Sequence, residues 1–222
     1  DFNIFSLFLL GLAVGFMAPL GIYLFKAKQQ RELFFSLAIA YSTGTFFFTS
    51  AVDDRVFMAI IFTSIALFCA IVLRNYKVNT EAKTLSYSFI SYLPLMLWIL
   101  LDSNLFETLS RHAGIDIWSK ETSMIAIFHI VGLLAAYFVD TSKIKQHFFI
   151  AALFIASYSL SYFELPLLLA MVYPFTISYY NVVVFTTLSK EVDLSKLAFM
   201  MIFVGWIASG LGLAIALSRI LH

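Results

Sequence analysis

Charged residues are confined to short gaps between long apolar runs, and that spacing limits the chain to structures that lipid can surround. The principal gaps are 26–31, 74–83, 140–145 and 190–196, one after every second run. The runs themselves cover approximately 2–25, 33–50, 56–73, 85–106, 122–139, 148–162, 165–188 and 197–217. A helix needs about 20 apolar residues to cross the hydrocarbon core of a bilayer. The pattern therefore predicts an all-α integral membrane protein with about eight transmembrane helices.

The distribution of basic residues orients the predicted spans. If successive spans alternate in direction, the four gaps share one side of the membrane. That side carries Lys26, Lys28, Arg31, Arg74, Lys77, Lys83, Lys143, Lys145, Lys190 and Lys196, which is ten of the 14 basic residues. Arg55, Arg111, Lys120 and Arg219 fall on the other. Basic residues in short loops stay cytoplasmic, so both chain ends are expected on the non-cytoplasmic side of a cytoplasmic (inner) membrane. A start at Asp1 on that side reads as a chain preceded by further spans or by a removed leader. The stretch 2–25 is not itself a cleavable signal, because its basic residues follow the apolar run where a signal carries them in front.

Composition excludes several function classes. At 12% charged residues the chain has about half the usual share for a soluble domain. A net charge of +1 and the lack of a basic stripe with interleaved aromatics give no footprint for nucleic acid. The single Cys69 can form no intrachain disulfide and reads as a small apolar filler in the third run. There is no H-E-x-x-H, no Cys-His metal spacing, no phosphate-cradling glycine loop and no G-x-S-x-G. His112, His129 and His147 lie on different segments, so neither an enzyme nor a metal or haem cofactor is expected.

Local residues suggest how the helices meet. Gly11 and Gly15 form a G-x-x-x-G, and Gly205, Gly210 and Gly212 thin one side of the last run, where close backbone approach favours helix association in lipid. Pro94 and Pro174 lie deep enough in their runs to kink a helix. The link 161–164 is so short that the sixth and seventh runs must be antiparallel neighbours. The polar segment 107–121 is too polar to span, and Trp118 makes it an interfacial loop with an aromatic anchor.

Chemistry is sought in polar groups that a membrane makes costly. An ionisable residue inside a span is a functional hypothesis by default, which singles out Asp102, Glu107 and His129 as proton-coupling candidates. Counted at 1.5 Å per residue, Asp102 and His129 both fall about 5 to 10 Å below the outer boundary. A carboxylate beside an imidazole at one depth can take up and release a proton near neutral pH. The alternatives are a helix-end role for Asp102 and a backbone hydrogen bond for His129. Glu107 can instead reach Arg111 at i,i+4. Tyr173, Thr176 and Tyr180 follow i, i+3, i+7 and share a helix face that could line a wet cavity, with Asn181 beside them. Tyr41 and Tyr92 add aromatic contacts from other spans, and interhelical hydrogen bonding is the alternative for Asn181.

The order of these features resembles the major facilitator superfamily of transporters. Residues 9–15 (LLGLAVG) followed by Pro19 look like its fourth helix, and residues 26–32 like the cytoplasmic turn after it. Residues 53–57 (DDRVF) are similar to the opening of the sixth helix. Gly132 through Asp140 to Lys145 looks like a decayed form of the loop between the eighth and ninth, and Gly205, Gly210 and Gly212 suit the eleventh. The resemblance implies helices four to eleven: residues 1–73 as the end of an N-terminal bundle, 74–84 as a cytoplasmic interdomain loop, and 85–222 as a C-terminal bundle. Departures are visible too. Leu7 stands where the family often has Arg, Gly44 is alone where a Gly-Pro motif occurs, and Thr141 and Lys143 replace the usual Arg and Gly.

The function these readings imply is secondary active transport of a small organic solute by alternating access, with proton coupling through Asp102 and His129. The alternative is a transport-inactive structural or assembly subunit that keeps this fold among other membrane subunits. Partners in either case are membrane lipid and neighbouring subunits or a small-molecule substrate, with no nucleic acid.

Overall fold

The computed structural model describes residues 4–24, 30–50, 52–73, 89–111, 115–139, 142–191 and 193–218. Among them the protein is entirely helical, and every one of the predicted apolar runs carries a helix. The helices are α1 (Ile4–Leu24), α2 (Gln30–Thr49), α3 (Val52–Leu73), α4 (Leu93–Arg111), α5 (Ile117–Lys120), α6 (Thr122–Phe138), α7 (Lys143–Tyr162), α8 (Pro166–Leu188), α9 (Leu194–Met201) and α10 (Ala208–Ser218). A 3-10 turn, Phe89–Tyr92, precedes α4, and a π-helical turn, Ile202–Ile207, joins α9 to α10.

Four helices among the described residues are long and apolar enough to cross a membrane: Asp54–Val72, Phe89–Arg111, Pro166–Leu188 and Leu194–Ser218. The apolar Thr122–Phe138 is shorter. The spans differ sharply in surroundings. In α8, 61% of the apolar window is buried inside the protein, whereas none of the window in α3 is. Phe57, Ile60, Phe68 and Ile71 on α3 all point outward, which costs nothing in lipid and a great deal in water.

The chain groups into two compact units. One comprises residues 1–33, 80–108 and 180–222; the other comprises 34–79 and 109–179. Each takes segments from both sides of 74–84, the loop expected between two bundles, and that loop itself lies outside the described residues. So do residues 26–28, Asp140 and Thr141, on which parts of the superfamily pattern rest.

Local chemistry explains the helix ends. The turn from α7 to α8 is a Schellman motif: the Leu165 amide donates to the Leu160 carbonyl at 3.0 Å and the Glu164 amide to the Ser161 carbonyl at 3.1 Å. Glu164 takes the left-handed conformation this motif requires, φ 54°, a place where glycine is usual. Pro166 then opens α8 at its first position, where a missing N–H leaves no bond unmade. The short link does make α7 and α8 neighbours, and Ser157 on α7 meets Thr176 on α8 at 3.3 Å. Asp193 caps α9 by accepting from the Ser195 amide at 2.8 Å.

Two expectations need correcting. Pro94 is not in the middle of a span, because the 3-10 turn ends at Tyr92 and α4 starts at Leu93, leaving Pro94 at the second helical position with no kink to cause. Nor is 107–121 a loop throughout. α4 continues to Arg111, and Ile115 and Ile117 are buried, 3% and 0% exposed. Trp118 packs edge-on against Tyr173, with ring centres 6.3 Å apart. Its neighbours Ile115 and Ile117 supply apolar surface that the polarity of the whole segment concealed.

Candidate functional site

In the unit that holds 80–108 and 180–222, polar side chains converge on three successive residues of α4. The Tyr180 hydroxyl donates to the Asp102 carboxylate at 2.7 Å, joining α8 to α4. Ser103 Oγ donates to the Ser209 carbonyl at 2.8 Å and lies 3.1 Å from the Ser209 hydroxyl. Asn104 Nδ2 donates to the Gly212 carbonyl at 3.3 Å. Asp102 is half-buried and Asn104 fully so. In an apolar span, three adjacent polar residues, each answered from another helix, satisfy groups that the interior would otherwise leave at a cost of about 1–3 kcal/mol each.

The same helices carry a second polar contact at the start of α4. Tyr92, fully buried, directs its hydroxyl at Glu191 Oε2, 3.5 Å away, and Glu191 pairs with Lys196 at 2.9 Å. Tyr92 therefore contacts the turn between α8 and α9. Glu191 is 4% exposed, and the Lys196 ammonium is the cation paired with it. Lys196→Met should lower stability by about 1–3 kcal/mol, less than a fully buried pair would show because 30% of the Lys196 side chain is exposed. Glu191→Gln combined with Lys196→Met should recover most of it, read as the unfolding midpoint in lipid or mild detergent. Equal losses in single and double variants would mean that no stranded charge was involved.

The other unit holds His129. Its Nδ1 lies 2.7 Å from the Ser178 hydroxyl, and its ring stacks on Tyr41 with centres 4.3 Å apart and planes 4° apart. Tyr173 and Thr176 are fully buried, and the Thr176 hydroxyl donates to the Val172 carbonyl at 2.7 Å. Asn181 is half-buried on α8, and Glu107 half-buried near the end of α4, one turn before the exposed Arg111.

Of the candidate residues, Asp102 and Tyr180 are thus in direct contact, as are His129 and Tyr41. Asp102 and His129, paired in the sequence reading, belong to different units. Sequence reasoning passed over Ser103, Asn104, Ser178, Ser209 and Glu191. The run Asp102-Ser103-Asn104 was a usable signal, since three polar residues in succession inside a span occupy most of a turn and cannot all face lipid. Ser178 and Ser209 carry no such mark. Among the described residues no group of His, Cys, Asp and Glu could hold a metal ion. No protein-family model, curated protein or solved structure matches this chain.

Proposed function

We propose that this chain is a multi-pass membrane protein of about eight spans that carries a small organic solute across the cytoplasmic membrane by alternating access, coupled to protons through Asp102. The observation that carries the reading is the Tyr180–Asp102 hydrogen bond, 2.7 Å long, at a half-buried carboxylate within an apolar span. A carboxylate at such a place is costly to keep charged and unaided. The Tyr180 hydroxyl donates to this carboxylate and stabilises its charge. The resemblance to the major facilitator superfamily supplies the transport mode, with 74–84 as the proposed link between bundles. Glu107 is a secondary proton-handling candidate in this reading, and Tyr92 and Asn181, in the same unit as Asp102, are proposed contributors to the solute path.

Purified full-length protein in liposomes, loaded with a pH-sensitive dye and challenged with a library of small organic solutes, should move protons in response to at least one of them. Proton-silent vesicles across the library, with folded protein of verified orientation, would sink the reading. They would favour a scaffold or assembly subunit instead, for which α3 is the supporting feature: a span with none of its apolar window covered suits a protein surrounded by other membrane components.

Orientation has its own test. On a Cys69→Ser background, Lys145→Cys should be protected from an impermeant thiol reagent outside intact cells, and Lys120→Cys should react. Both positions are exposed, so topology alone decides the labelling. The reverse pattern would remove the proposed placement of both chain ends on the non-cytoplasmic side and the superfamily alignment with it.

A further inference from the structure

Pro174 sits inside α8, where its missing N–H removes the hydrogen bond to the carbonyl four residues earlier, that of Ala170. A helix weakened in this way bends at that turn unless neighbours restrain it. The turn that follows is restrained from three directions, all within one unit. Ser157 of α7 meets Thr176 at 3.3 Å. Gly132 of α6 lies so close to α8 that a Cβ there would be 2.5 Å from the Phe175 carbonyl oxygen. His129, one turn before Gly132 on α6, reaches the far end of the Pro174 turn at the Ser178 hydroxyl.

His129 Nδ1 meets the Ser178 hydroxyl, and the tautomer of the imidazole decides which of the two donates. Ser178 stands four residues beyond Pro174. Its hydroxyl would ordinarily turn back to the Pro174 carbonyl, a habit that bends helices. Here the hydroxyl is instead engaged by His129 at 2.7 Å, with Ser178 fully buried and His129 5% exposed. Tyr41 of α2, stacked flat on the imidazole, fixes the plane of the ring.

We propose that the Pro174 turn is a hinge in α8 and that His129, backed by Tyr41, is the latch that holds it. Loss of the imidazole leaves Ser178 free to bond the Pro174 carbonyl, so the polar groups stay satisfied while the restraint between α6 and α8 is gone. Release of the latch therefore bends the helix without unfolding it. This device goes beyond the transport reading and is measured without any solute.

The test is hydrogen exchange by mass spectrometry on the full chain in lipid nanodiscs, following peptides that cover 166–182. His129→Ala should raise exchange there about three- to ten-fold, the equivalent of one lost hydrogen bond. Pro174→Ala should slow it, because the missing helical bond is restored. The double variant should match Pro174→Ala, since a helix without a hinge needs no latch. Tyr41→Leu should move exchange in the same direction as His129→Ala, which keeps the test available if His129→Ala fails to fold. Unchanged exchange in Tyr41→Leu together with His129→Ala or its non-folding would overturn the latch. Equal acceleration on the wild-type and Pro174→Ala backgrounds would reduce His129 to ordinary packing and overturn it equally.

Discussion

Gly212→Ala should destabilise the protein by about 1–3 kcal/mol or more, the usual range for forcing an extra methyl group into a packed site. A Cβ at Gly212 would meet the Leu100 carbonyl, stand 2.9 Å from Ser103 Cβ and 3.0 Å from the Asn104 nitrogen. Two of these are backbone atoms of α4, which cannot step aside as a flexible side chain does. The Gly212 carbonyl also accepts from Asn104, so separating the helices stretches a buried hydrogen bond as well. Gly210 is the control: two residues away on α10, it is exposed with nothing within 4 Å of its would-be Cβ. Gly210→Ala should be neutral or stabilising by up to about 1 kcal/mol, through helix propensity alone. The opposite signs separate close approach from the general cost of glycine in a helix. A shared sign in thermal unfolding of the two variants would mean that α4 and α10 do not meet at Gly212.

These two glycines show what can be read in one dimension. The sequence marks Gly205, Gly210 and Gly212 alike as small residues on a late span, and nothing in their immediate neighbours tells which faces protein and which faces lipid. In solution, polarity would reveal the outward face; in lipid, both faces are apolar, and amphipathic periodicity fades. The same loss of contrast makes α3 and α8 look similar as strings, although 61% of one window is buried and none of the other. Length and apolar character survive as signals, which is why every run carries a helix. Helix starts were harder: Pro94 looked central because the apolar run extends through the 3-10 turn before it.

Polar residues were legible in proportion to their charge. Asp102 stands out in any apolar run, and its hydrogen-bonding to Tyr180 unites two residues singled out separately. His129 and Tyr41 were likewise both noted, but stacking between residues 88 positions apart leaves no trace in spacing. Glu191 was passed over as one of several charges in a basic gap. Its burial follows from tertiary placement of the α8–α9 turn against Tyr92, a contact 99 residues apart in the chain.

Asp102→Asn should abolish proton-driven solute accumulation, a loss on the order of 100-fold or more, the range for removing a proton-transfer group. Asparagine has nearly the shape of aspartate and keeps a side-chain oxygen to accept from Tyr180, so the α4–α8 contact, 2.7 Å in the parent, can persist. The amide cannot take up a proton at any accessible pH. Folding and membrane insertion should therefore be retained, with an unfolding midpoint close to the parent, while exchange of solute without net proton movement survives. Tyr180→Phe is the complementary change: it deletes the hydroxyl but leaves the carboxylate titratable, so coupling should persist with altered pH dependence. Undiminished proton-driven accumulation in Asp102→Asn would rule out Asp102 as the coupling group. It would leave the Tyr180–Asp102 bond as a structural tie between α4 and α8, joining Ser103–Ser209 and Asn104–Gly212 in holding this unit together.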